Sequence, residues 1–153
     1  MNATKSILIE NQIREVILKD FAQLIEARDS VYGKFILIAV GIEFLGACLD
    51  KQHLNATARS EIRFNSAIMK LFPKQYHHFV KKESVPNLYL DFRCPIIHQF
   101  RCGKSIALYS NTQNDFSGQK HLNYHSEGAL MLIAEDFYRD LAAAGNKLIS
   151  SLQ

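Results

Sequence analysis

Between Asn87 and Lys104 the chain reads NLYLDFRCPIIHQFRCGK, which sets Arg93 and His98 five positions apart with Pro95 between them. An arginine can grip a phosphate through two parallel N–H bonds, and a histidine titrates close enough to neutrality to move a proton there. Together they suffice for cleaving RNA without a metal. The 2′-hydroxyl supplies the nucleophile, the imidazole manages protons, and the guanidinium offsets charge building on the phosphorane. Five positions on a regular helix lie about 140° apart. A kink at Pro95, or a second protomer, is therefore expected to bring the two groups to one phosphate. The plainer use of the same residues is structural, with Arg93 bridging Glu43 or Asp91 and His98 satisfied within the core.

Other chemistry is weaker in the sequence. Cys94, His98 and Cys102 recur every four residues on one helix face, so two could share an ion while the third sits a turn away; zinc needs ligands converging from different segments. His121 and His125 fall in an alternating, strand-like stretch where four residues span about 13 Å, and His77-His78 lies in a basic connector. No metal site and no cofactor is expected from these residues. There is no GxSxG elbow and no GxGxxG or GxxxxGK[ST] loop, which argues against familiar hydrolases and nucleotide enzymes. Glu43, inside an apolar helix, must be paired or protonated. It is expected either to form an ion pair between helices or to orient an Arg or His of the fourth helix. Lys70, Lys74, Lys81 and Lys82 alternate with Phe72, Tyr76 and Phe79, while Arg101 and Lys104 follow the Arg–His pair. Such mixing suits single-stranded RNA, though a connector tucking its aromatics into the core has the same composition.

The elements that must hold these residues are mostly helical. Ile9, Ile13, Ile17, Phe21 and Leu24 step by four, four, four and three, with Glu10–Arg14 and Glu15–Lys19 as wet-side pairs and Thr4 or Ser6 as a cap. Asp29 and Ser30 interrupt this pattern. Ser30 opens a second helix to about Lys51, apolar nearly all round and hence central. Gly41 and Gly46 in it invite close approach by another helix. A third helix, opened by Asn55 or Thr57, shows Phe64, Ile68 and Leu71 before Pro73. A fourth from Asn87 carries Tyr89, Phe92, Ile96 and Phe100, with a kink or restart expected at Pro95. Alternation at Ile106–Leu108, at His121–His125 and over Ala129–Ile133 suggests short strands, with Glu127-Gly128 as a turn. Phe137, Leu141, Ala144, Leu148 and Leu152 return the chain to helix. The expected fold is mainly α: a bundle of about five helices with a small β-hairpin insert before the last, in a single domain over residues 1–153.

Composition agrees with this. Apolar residues make up 48% and charged residues 22%, with a formal net charge of +3, and the mean hydropathy is −0.08. These values exclude a disordered chain and permit, without requiring, a polyanionic partner. Cys48, Cys94 and Cys102 form no CxxC pair, and Met1–Gln12 lacks the apolar stretch of a signal peptide. The run from Phe35 to Leu49 is short for a membrane span and is broken by Glu43. The expected location is the cytoplasm, with no membrane association.

On R-x4-H at Arg93 and His98, a central helix containing GIEFLGACL and a long first helix, the chain resembles the HEPN superfamily (higher eukaryotes and prokaryotes nucleotide-binding domain). FRCPIIHQF is similar to strings in uncharacterised bacterial members. The resemblance implies a helical bundle, commonly homodimeric, and metal-independent endoribonuclease activity with Arg93 and His98 catalytic. Glu43 would support them, and Arg101 and Lys104 would contact the nucleic acid. RNA and an antitoxin-like protein are the implied partners, with no sequence-specific DNA binding. Cys94 stands where active members usually carry a polar residue, and Pro95 alters the local backbone. The alternative is a catalytically silent HEPN-like module that binds a partner.

Overall fold

An apolar helix with no wet face must be surrounded, and the computed structural model, which describes residues 3–28, 30–50, 52–114 and 116–152, arranges the other elements around such a helix. α3 (Val31–Leu49) buries Phe35, Ile38, Ile42 and Leu45 completely. It packs chiefly against α4 (Ser60–Leu71) and α6 (Ala134–Leu152). By length and composition α3 also matches a membrane span, but 50% of that window is buried inside the protein, as befits a core helix. Gly46 is where the approach of α4 is tightest. A Cβ there would lie 1.9 Å from the Arg63 carbonyl oxygen, so only glycine fits.

The first rod is continuous. α1 (Ala3–Gln12) passes into a π-helical stretch, Ile13–Asp20, and then into α2 (Phe21–Glu26), with Gln12 and Asp20 both right-handed helical. Its buried stripe is Ile9, Ile13, Ile17, Phe21 and Ile25, all steps of four. Leu24, expected in the stripe, is instead 51% exposed. A step of four drifts about 40° on an α-helix. The wider i→i+5 turns drift the other way, so the π stretch keeps steps of four on one face. Thr4 and Ser6 lie within the bounds of α1, and Ser30 precedes α3 without a side-chain cap bond. Asp29 and the expected helix end at Lys51 lie outside the described residues.

α4 starts at Ser60, later than Asn55 or Thr57. The Arg63 guanidinium explains the delay, because it gathers the preceding loop, donating to the carbonyls of His53 (2.7 Å) and Leu54 (2.8 Å) and to Asp50 (3.1 Å). A 3-10 helix, Lys74–Val80, follows Pro73 and buries Tyr76, Phe79 and Val80. The connector thus tucks its aromatics into the core. The fourth rod joins a π-helical stretch, Leu88–Arg93, to α5 (Cys94–Gln99). Among the described residues, and leaving the 3-10 helix aside, the helical segments join into five rods, the number that the sequence pattern suggests.

The insert before α6 is small. β1 (Ile106–Tyr109) pairs in parallel with β2 (Leu130–Ile133), Ile106 opposite Leu130. The segment expected as a strand at His121–His125 contributes one antiparallel bridge, Tyr124 to Leu130, and turns back through Gly128 at φ 83°. A fully buried cation pins this insert. Lys34 Nζ on α3 donates to Ser110 Oγ (2.8 Å), Thr112 Oγ1 (3.1 Å) and Glu135 Oε1 (2.8 Å). Burial alone would raise the Glu135 carboxyl, but the bonds from Lys34, Ser110 and the Asn111 amide outweigh it and hold it below its usual range.

Replacing Gly46 by alanine should destabilise the fold by at least about 2 kcal/mol, because the clash with Arg63 exceeds the roughly 1 kcal/mol gained in helix propensity. Urea denaturation of the two proteins measures the difference.

Candidate functional site

Asn87 fixes the start of the fourth rod by accepting the Tyr89 and Leu90 amides at 2.9 and 3.0 Å. The Asn87 amide in turn donates to Asp91 Oδ2 at 2.7 Å. Eight residues on, Pro95 has no amide to offer the turn before it. The Cys94 amide bonds back to the Tyr89 carbonyl, one residue beyond the α pattern. The Asp91 carbonyl is taken by the Gly103 amide, at 2.7 Å. A Cβ on Gly103 would come within 3.1–3.2 Å of three Asp91 atoms. That bond folds the Arg101–Lys104 loop back beside α5.

The same rod carries Arg93, whose side chain is 13% exposed. Its Nη2 forms an ion pair with Glu43 Oε2 on α3. Its guanidinium carbon lies 5.7 Å from the Tyr89 ring centroid, a cation–π distance. Nη1 approaches His98 Nε2 at 3.4 Å. Nε is buried with no hydrogen-bond partner among the described residues. Arg93 and His98 therefore meet within one chain. The kink expected at Pro95 is not what joins them, since Arg93 and Cys94 keep right-handed helical angles. The reach of the arginine side chain spans the angular gap instead.

His98 is exposed and lines a cleft of about 440 Å³ together with Leu90, Cys94, Gln99, Arg101 and Lys104. Arg93 is not among its walls. On the far side of the Arg101–Lys104 loop a second cleft of about 870 Å³ opens between the start of α3 and β1, and Arg101 and Lys104 line both. Arg101 Nε is steadied by Gln99 Oε1 at 2.5 Å. The expected site residues Arg93, His98, Glu43, Arg101 and Lys104 thus fall in one neighbourhood. Tyr89, Gln99 and Leu90 join them without having been singled out. The aromatic four residues before Arg93 was the readable signal for the first.

The Cys102 thiol is a poor nucleophile. Burial pushes Cys102 up to about 12. Tyr89 is also raised to about 12, by burial first and then by its hydrogen bond with Cys94. Among the described residues no three His, Cys, Asp or Glu side chains are placed to hold an ion.

His121 belongs to a separate, closed network. Its Nδ1 accepts the Ile133 amide at 2.9 Å, so its Nε2 carries the proton and donates to Tyr76 Oη at 2.7 Å. The Tyr76 hydroxyl then donates to Asp140 at 2.5 Å. The imidazole also lies against the rings of Tyr76 and Phe137. Burial first, and the charge of Arg139 second, bring His121 down to about 4. This is a structural histidine held neutral, with both ring nitrogens engaged within the protein. Compared with protein-family models, curated proteins and solved structures, the chain matches none, so its own residues carry the functional reading.

Two outcomes follow. Glu43→Gln leaves the Arg93 guanidinium without its carboxylate and should cost about 1–3 kcal/mol in chemical denaturation, a partly exposed pair ranking below a sealed one. For His121, the unfolded chain binds its proton near pH 6.5 while the folded chain does so only near 4. Stability should therefore fall as pH drops from about 6.5 to 4. His121→Gln should flatten that slope in melting curves taken across the range.

Proposed function

We propose that this chain is a metal-independent endoribonuclease of the HEPN type that acts on single-stranded RNA. The observation that carries the reading is the approach of Arg93 Nη1 to His98 Nε2 at the edge of an open cleft. With Arg93 donating, the Nε2 lone pair points at the guanidinium. A phosphate arriving on Nη1 displaces that contact and frees Nε2 to act as base. Nε2 then removes the 2′-hydroxyl proton, the 2′-oxygen bonds to phosphorus, and the bond to the 5′-oxygen breaks. The imidazolium returns its proton to that leaving oxygen, giving a 2′,3′-cyclic phosphate and a 5′-hydroxyl. Arg93 offsets the charge on the phosphorane, Glu43 holds its other edge, and Arg101 and Lys104 meet neighbouring phosphates. No cofactor enters these steps. The three free cysteines suit a reducing cytoplasm, and the family resemblance favours a homodimer.

One observation favours a second reading. Arg93 is mostly buried and already paired with Glu43, as in a catalytically silent module whose arginine only joins helices and whose surface binds a partner protein. An RNase assay beside a melting curve separates the two. The purified protein should cut single-stranded RNA in EDTA and leave cyclic-phosphate ends. His98→Ala should reduce the rate by about 100-fold or more, with the melting temperature unchanged. If wild type and variant leave RNA equally intact while Arg93→Ala only lowers stability, the silent module is correct.

A further inference from the structure

Phe100 ends α5 in left-handed backbone, at φ 53° and ψ 36°, and the residue is 71% exposed. A non-glycine residue there is strained, and glycine is the usual occupant of such a helix end. Two other non-glycine residues share the region, Ala58 and Leu122. Ala58 has only a methyl group to place, and Leu122 packs against the core. Phe100 combines the strained backbone with a large apolar ring left in water, and among the described residues it stacks on no other ring. Neither feature stabilises the fold, so both point outward to a ligand. The surroundings say what kind. Gln99 and Arg101, on either side of Phe100, both line the His98 cleft, as does Lys104.

We propose that Phe100 is a stacking platform for an unpaired base of an RNA strand whose adjacent phosphates lie against Arg101 and Lys104. The inference rests on the RNA reading above for its ligand class and adds the residue that selects single strands. A base within a duplex has both faces covered and cannot reach the ring. An exposed apolar ring one residue from Arg101 and four from Lys104 along the chain matches one unpaired nucleotide, base and phosphate together. An apolar protein surface would instead have to desolvate Arg101 and Lys104 against nothing of opposite charge.

The test uses the full chain and a fluorescent, non-cleavable 2′-O-methyl oligouridylate, with the same strand abasic and the same strand annealed to its complement. Phe100→Gly should raise the melting temperature by relieving the backbone, yet weaken binding of the single strand by about tenfold, the loss of one stacked base. Phe100→Trp should restore the affinity. The abasic strand and the duplex should bind wild type and Phe100→Gly alike. A lower melting temperature in Phe100→Gly would make the ring structural and overturn the proposal. Equal single-strand binding by the two proteins, or loss of self-association in the variant, would overturn it too. Its failure is separable from that of the nuclease reading. A protein that binds the oligomer through Phe100 but cuts no RNA loses only the catalysis. One whose His98-dependent cleavage is indifferent to Phe100 loses only the platform.

Discussion

A charge carried towards the interior by a core helix has to be answered by an opposite charge or by hydrogen bonds, and α3 carries two. Lys34 and Glu43 sit along the same central helix, and each recruits a different part of the molecule. Lys34 draws in Glu135 at the start of α6 and the hydroxyls of Ser110 and Thr112 after β1. Glu43 draws in Arg93 from the fourth rod. Hydrophobic burial assembles these elements without regard to register. The two ionic demands of α3 say where along the helix the insert and the Arg93 rod must sit, and the site inherits its position from that requirement.

Much of this was legible from periodicity. The rods, the central helix, the close approach at Gly46 and the insert before α6 all follow from spacing and from residue size. Glu43 and Asp91 were both readable as partners for Arg93, and the structure pairs it with Glu43. The π-helical stretches were not legible: steps of four in Ile9 to Ile25 read as an ordinary α stripe, and only Leu24 turning outward betrays the wider turn. Lys34 escaped notice because one lysine near the start of an apolar run looks like a solvated end. The parallel pairing escaped because alternation reports a strand and not its neighbour. The means by which Arg93 meets His98 was not legible, because backbone angles place Cβ atoms, while a long side chain chooses its own endpoint.

Within the site, the division of Arg93 is the telling feature. One edge of its guanidinium is spent on Glu43 and its central carbon lies over the Tyr89 ring, while the Nη1 edge is directed at His98. Such a group cannot swing, and what it meets is set by the protein rather than by the ligand. The Pro95 break acts beside it. By leaving the Asp91 carbonyl free, it gives the Gly103 amide a place to bond, and that bond brings Arg101 and Lys104 to the wall of the cleft that His98 lines. A residue that weakens a helix locally thereby sets the position of two cations.

The parallel pairing of Ile106–Tyr109 with Leu130–Ile133 has a consequence for how the chain folds. Residues 110–129 must close on themselves before the first bond between the strands can form, and that entropy is lost ahead of any reward. The sheet is therefore unsuited to nucleate folding. Until that loop closes, Lys34 lacks the Ser110 and Thr112 hydroxyls that answer its buried charge, so pairing of the strands and burial of the lysine are coupled.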